Sequence, residues 1–111
     1  MLWAESSSAR GPVGRPAGVL DDGARDAFLD RLRAGVADAA ASDGDFVVDL
    51  AEVDHMSAGA LMALTIARKE AIASDVKIVL ARPSPALREM LEISRYQLIF
   101  DIVDTIDVGG D

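Results

Sequence analysis

The chain has 111 residues, half of them apolar, and a formal charge of −8. That length suits one domain with a single modest core, and the acidic balance argues against nucleic acid or an anionic membrane as the main partner, since phosphate binding needs clustered Lys and Arg. With no cysteine there is no disulfide, thiolate chemistry or Cys-ligated metal; no signal peptide and no membrane span are expected, and the composition suits a cytoplasmic protein.

Residues 1–16 are expected to form an irregular N-terminal segment, at most a short, poorly regular hairpin. Glu5-Ser6-Ser7-Ser8 and Gly11-Pro12 through Arg15-Pro16 have turn and linker composition, and Pro12 and Pro16 push any strand towards a sheet edge. A helix follows from about Asp22 to Ala41, where Phe28, Leu32 and Val36 repeat every four residues and Leu29 widens the stripe. Asp21 or Asp22 can cap it, and Ser42-Asp43-Gly44 ends it with turn chemistry. Phe46, Val47, Val48 and Leu50 make the continuous apolar run of a central strand. An acidic loop, Val53 to Met56, then leads into a second helix over Ser57 to Ala73, apolar nearly all round until Arg68-Lys69-Glu70.

Val76 to Ala81 reads as a second core strand. Ser84-Pro85 is a helix start, with serine at the cap and proline at the first helical position, and Leu87, Met90 and Leu91 supply that helix's apolar stripe. Ile99 to Val103 is a final strand. Residues 106–111 form a tail, in which Gly109-Gly110 leave any closing helix short or absent. Strands alternating with helices predict an α/β fold with a parallel-containing sheet and right-handed crossovers, all in one domain over residues 1–111.

The chain lacks the ingredients of a catalytic site, which needs a nucleophile with a base, paired acids in a cleft, or a ligand cluster. His55 is the one histidine. Asp49, Glu52 and Asp54 stand at i, i+3 and i+5 without the glycine-centred loop of a calcium site, so they read as solvated loop carboxylates and no metal is expected. Nor is there a phosphate-cradling glycine loop. No enzyme activity and no cofactor are expected. Ser57 has two readings. It can cap the second helix by accepting a first-turn N–H, or serve as a phosphorylation switch, because free N–H groups and the helix dipole favour an anion there.

The segment Phe46 to Ala73 resembles the signature of the STAS domain, in which a strand ending D-L-x-x-V leads into D-S-S-G-L or S-S-A-G-L at a helix start. Asp49-Leu50, Val53, Met56 and Leu61 fit in register. Gly18-Val19-Leu20-Asp21 resembles the family's G-x-L-D turn, and Ser94-Arg95-Tyr96 with Leu98-Ile99-Phe100-Asp101 resembles its closing segment. The resemblance covers about residues 17–105. It implies a small, mixed but mostly parallel sheet with helices packed mainly on one face. It also implies a non-catalytic regulator of the anti-anti-sigma type, which binds an anti-sigma factor with a GHKL-type serine-kinase fold and so controls release of a sigma factor.

The partner surface implied comprises Asp21, Asp54, His55, Met56, Ser57, Ala58, Gly59, Ala60 and Met62, with Asp21 close to Ser57. Set against D-S-S-G-L, this chain reads Ser57-Ala58-Gly59-Ala60-Leu61, so Gly59 stands at the usual phosphoacceptor position and has no hydroxyl. Ser57 is the remaining phosphoacceptor candidate, two positions early. Two other roles known among such domains stay open: an accessory subunit of an ABC-type lipid transport complex, and a signalling scaffold.

Overall fold

Residues 1–106 are described by a computed structural model of the chain. Its sheet is organised by one long strand, β2 (Gly11–Leu20). On one side β2 pairs antiparallel with the edge strand β1 (Leu2–Ser8), in unbroken register from Leu2↔Ala17 to Ser8↔Gly11. On the other side it is shared. Val13 and Gly14 pair in parallel with β3 (Phe46–Asp49), whereas Gly18, Val19 and Leu20 pair in parallel with β4 (Val53–Met56). Beyond β3 lie β5 (Ile78–Ala81) and β6 (Asp101–Val103), both parallel to it, so the order is β1-β2-β3-β5-β6 with β4 joined to β2.

The N-terminal segment is therefore regular, and β2 is internal, contrary to the expectation drawn from Pro12 and Pro16. Strand parity explains how both prolines are tolerated. Gly18 donates its N–H to Glu52 O on the β4 side at 2.9 Å, so residues 12, 14 and 16 also turn their nitrogens away from β1. Pro12 falls before the pairing with β3 begins, and Pro16 falls in the gap between β3 and β4. Both stand at the limits of the paired stretches, so their missing donors shorten the ladder instead of interrupting it. Gly18 itself has φ +90°, with a register shift between it and Val19; only glycine adopts that backbone freely.

Among the described residues, three helices cover one face. After a single 3₁₀ turn at Asp22–Ala24, α1 spans Arg25–Ser42 and buries Phe28, Leu29, Leu32, Gly35, Val36 and Ala39. Asp43 ends it in the left-handed conformation with φ 57°, its N–H on the last carbonyls. α2 (Ala58–Ala73) starts on Ser57, and α3 (Pro85–Ile93) starts on Ser84 with Pro85 in its first turn, as the sequence predicts. Their buried side chains share one core with Phe46, Val48, Leu50, Ile78 and Leu80. The alternate strand residues Val13, Val47, Val79 and Ala81 form a second, smaller cluster with Val103 and Ile106, on the sheet face away from the helices.

Expected strand starts shift inward at two places. β5 begins at Ile78 because the Val76 N–H is used by Ala71 O in closing α2. β6 begins at Asp101 because the Ile99 and Phe100 N–H groups both bond Tyr96 O, forming a second 3₁₀ turn at Tyr96–Leu98. Of the expected tail, residues 107–111 lie outside the described residues, the Gly109-Gly110 pair among them.

Candidate functional site

The start of α2 is held beside the turn after β2 by main-chain bonds. The segment Val53–Met56, expected to be a loop, is strand β4, and its pairing brings Met56 opposite Leu20. One residue on, the Ser57 N–H donates to Leu20 O at 2.8 Å. Ser57 is extended (φ −75°, ψ 169°), as an N-cap residue must be, and its Oγ accepts the Ala60 N–H at 3.2 Å. Ser57 O accepts from Leu61 N at 3.0 Å, opening the helical ladder.

Two adjacent aspartates divide the work at this junction. Asp21 accepts the Ala24 N–H at 3.0 Å and caps its own 3₁₀ turn. Asp22 reaches across, and its Oδ1 accepts the Gly59 N–H at 3.2 Å. The carboxylate in contact with the α2 start is thus the residue after the one that the sequence singles out. No spacing rule separates neighbouring aspartates in a turn; which one reaches depends on the 3₁₀ turn itself.

Exposure varies among the residues around this junction. Asp21, Asp54, His55 and Ala58 are exposed, Ser57 and Gly59 are half-buried, and Met62 is 52% exposed. Met56 and Ala60 are different. Both are within the core, at 1% and 0% exposure, and present no side chain to a partner. Val19, 51% exposed and paired with His55, adds an apolar group that sequence reasoning missed. Its outward position on β2 was not legible because Gly18-Val19-Leu20-Asp21 read as a turn.

The carboxylates Asp49, Glu52 and Asp54 do not gather. Asp49, expected in a solvated loop, is fully buried at the end of β3. It accepts from Arg15 Nε at 2.8 Å, from Arg82 Nε at 3.1 Å and Nη2, and from the Ala51 N–H at 3.1 Å. Burial disfavours its charge, but the hydrogen bonds from Arg82, Ala51 and Arg15 outweigh that, and the carboxyl is held below the usual aspartate range. The same contact raises the Arg82 guanidinium above its ordinary value. Among the described residues no group of three or more His, Asp or Glu is placed to hold a metal ion, and no helix is long and apolar enough to cross a membrane.

A groove of about 290 Å³ lies at the other end of α2, lined by Arg68, Ile72, Val76, Ile78 and Ile99, with Arg68 bonded to Ile99 O. The α2 start, by contrast, offers small side chains, exposed carboxylates and two exposed apolar groups.

Comparison with known proteins agrees with this architecture. The family model described as STAS domain matches residues 11–108. No curated protein matches the sequence. Among solved structures, a protein assigned as an anti-sigma factor antagonist from Thermotoga maritima is similar with a TM-score of 0.75 at 16% identity, covering 93% of this chain and 86% of that one. The anti-sigma factor antagonist SpoIIAA in its unphosphorylated form has a TM-score of 0.63 at 19% identity, covering 94% and 89%. The Bacillus cell fate determinant SpoIIAA in its phosphorylated form has a TM-score of 0.62 at 19% identity, covering 94% and 92%. At these identities the likeness is one of fold.

Proposed function

The chain belongs to the STAS domain family, and from that premise we propose that it is a non-catalytic regulatory domain of the anti-sigma factor antagonist type. In this reading it binds an anti-sigma factor with a GHKL-type serine-kinase fold and thereby releases a sigma factor. The observation that carries the reading is the junction of the α2 start with the Leu20–Asp22 turn, pinned by the Ser57 N–H on Leu20 O and flanked by exposed Val19, His55, Ala58 and Met62. A small-residue helix start with apolar flanks buries well against a partner, and its small backbone-exposed surface is sensitive to added charge. The fold likeness to anti-sigma factor antagonists supports the same reading.

Gly59 has no hydroxyl, and the Ser57 Oγ is committed as the helix cap. On this basis the chain acts as an antagonist without the ordinary phospho-switch. The test is intact-mass and peptide mass spectrometry, with complex detection, after incubation with the anti-sigma kinases of the source organism and ATP. A stable complex without phosphate is the expected result. Phosphate on Ser57 would restore a switch with a displaced acceptor. Neither phosphate nor complex would refute the reading and favour a second one, a STAS subunit of an ABC-type lipid transport complex, for which the missing acceptor hydroxyl is the supporting observation.

A further inference from the structure

The start of α2 is closed by groups from the chain itself. Ser57 Oγ takes the Ala60 N–H, Ser57 O takes the Leu61 N–H, and the Asp22 carboxylate takes the Gly59 N–H. The last contact is of a different kind, because Asp22 comes from another element and brings a full negative charge. It also depends on Gly59 having no side chain. A Cβ on residue 59 would lie 2.5 Å from Asp22 Oδ1, inside any real contact distance, and would drive the carboxylate off. Gly59 and Asp22 are therefore a matched pair.

We propose that Asp22 is an autoinhibitory cap on the partner-binding surface, holding over Gly59 a removable negative charge where a covalent phosphate would otherwise be placed. The proposal rests on the partner reading above and specifies its regulation. A partner pressing on Ala58, Gly59 and Met62 must either bury the Asp22 charge or displace it from the Gly59 N–H. Burying it costs desolvation, and displacing it costs a hydrogen bond at a helix start. Both oppose docking. The cap is exposed to solvent, so it is weak enough to be moved. The surface is thereby set at moderate affinity without a kinase reaction.

Two substitutions remove the same contact from opposite ends. Asp22→Ala deletes the carboxylate, and Gly59→Ala expels it while favouring the helix. Each is made in the full chain and titrated against the anti-sigma partner by calorimetry, alongside the double variant. Hydrogen exchange at the residue 59 amide reports the cap directly. Each single substitution is expected to tighten the complex about fivefold, the scale of a charge at a helix end, and to speed exchange at residue 59. The double variant is expected to bind no tighter than either single one, because both remove one interaction. A complex whose affinity ignores or falls with either substitution, or a fully additive double variant, overturns the proposal and leaves the partner reading standing. Absence of a complex for all four proteins removes the partner reading, and this proposal with it.

Discussion

Replacing Asp49 tests whether the sheet depends on a buried charge. Its carboxylate is fully buried and accepts from two guanidinium groups and one main-chain N–H. Breaking a buried ion pair typically costs about 3–5 kcal/mol, because the abandoned partner keeps its charge in a poor medium. Here the Arg15 and Arg82 side chains are 40% and 42% exposed, so water recovers part of the loss. The expected cost for Asp49→Ala is about 2–3 kcal/mol once that screening is taken into account. Asp49→Asn keeps an acceptor for the Ala51 N–H but turns an amide donor towards guanidinium donors, and is expected to lose about 2 kcal/mol.

The pH dependence has a definite sign. The folded carboxyl titrates below its unfolded counterpart, so its contribution is fully present above the ordinary aspartate range. It is lost as pH falls from that range through the lower folded value. Urea unfolding at neutral pH and in the acid range is the assay. The wild type should lose more stability on acidification than Asp49→Asn, which lacks the titrating group. A neutral-pH loss under about 0.5 kcal/mol, the usual size for a surface change, together with equal acid sensitivity in both proteins, would refute the reasoning.

Ser57→Ala removes the acceptor for the Ala60 N–H and should cost about 1 kcal/mol in thermal or urea unfolding; an unchanged midpoint would mean that water replaces the cap. Gly35→Ala places a Cβ 2.1 Å from Phe46 Cζ in the core, so overpacking should cost about 1–3 kcal/mol despite alanine's better helix propensity. A stabilised Gly35→Ala protein would show that the ring moves freely. Met62→Glu alters a side chain that is 52% exposed and should leave stability within about 0.5 kcal/mol while abolishing the partner complex. Retained binding by that variant would move the interface off the α2 start.

Helices were the most legible part of this sequence, because their signals are local. The Ser57 and Ser84 caps, the Phe28–Leu32–Val36 stripe and the Pro85 start all appear where periodicity and capping chemistry put them. What escaped was non-local. Pro12 and Pro16 argue against an internal strand until one knows that β2 pairs with β3 only at Val13 and Gly14 and with β4 only from Gly18. The short stretch Val53–Met56 has an acidic, loop-like composition and becomes a strand only because Leu20 lies opposite Met56. Asp49 reads as solvated because its two arginines are 34 and 33 residues away. At the candidate site the same limit applies: Ser57 and Gly59 are legible as a helix start, whereas Asp22 is selected over Asp21 by the geometry of one 3₁₀ turn.

The bonds that hold β4 and the α2 start against β2 run between main-chain atoms, from Gly18 N to Glu52 O and from Ser57 N to Leu20 O. Main-chain atoms are common to all residues, so this platform places few demands on the identity of the side chains it displays. Ala58, Gly59 and Met62 can be exchanged over generations while the scaffold beneath them stays in place. A single substitution there changes the displayed surface and keeps a folded protein. Mutational latitude of this kind belongs to the backbone, and it lets one architecture carry different surfaces.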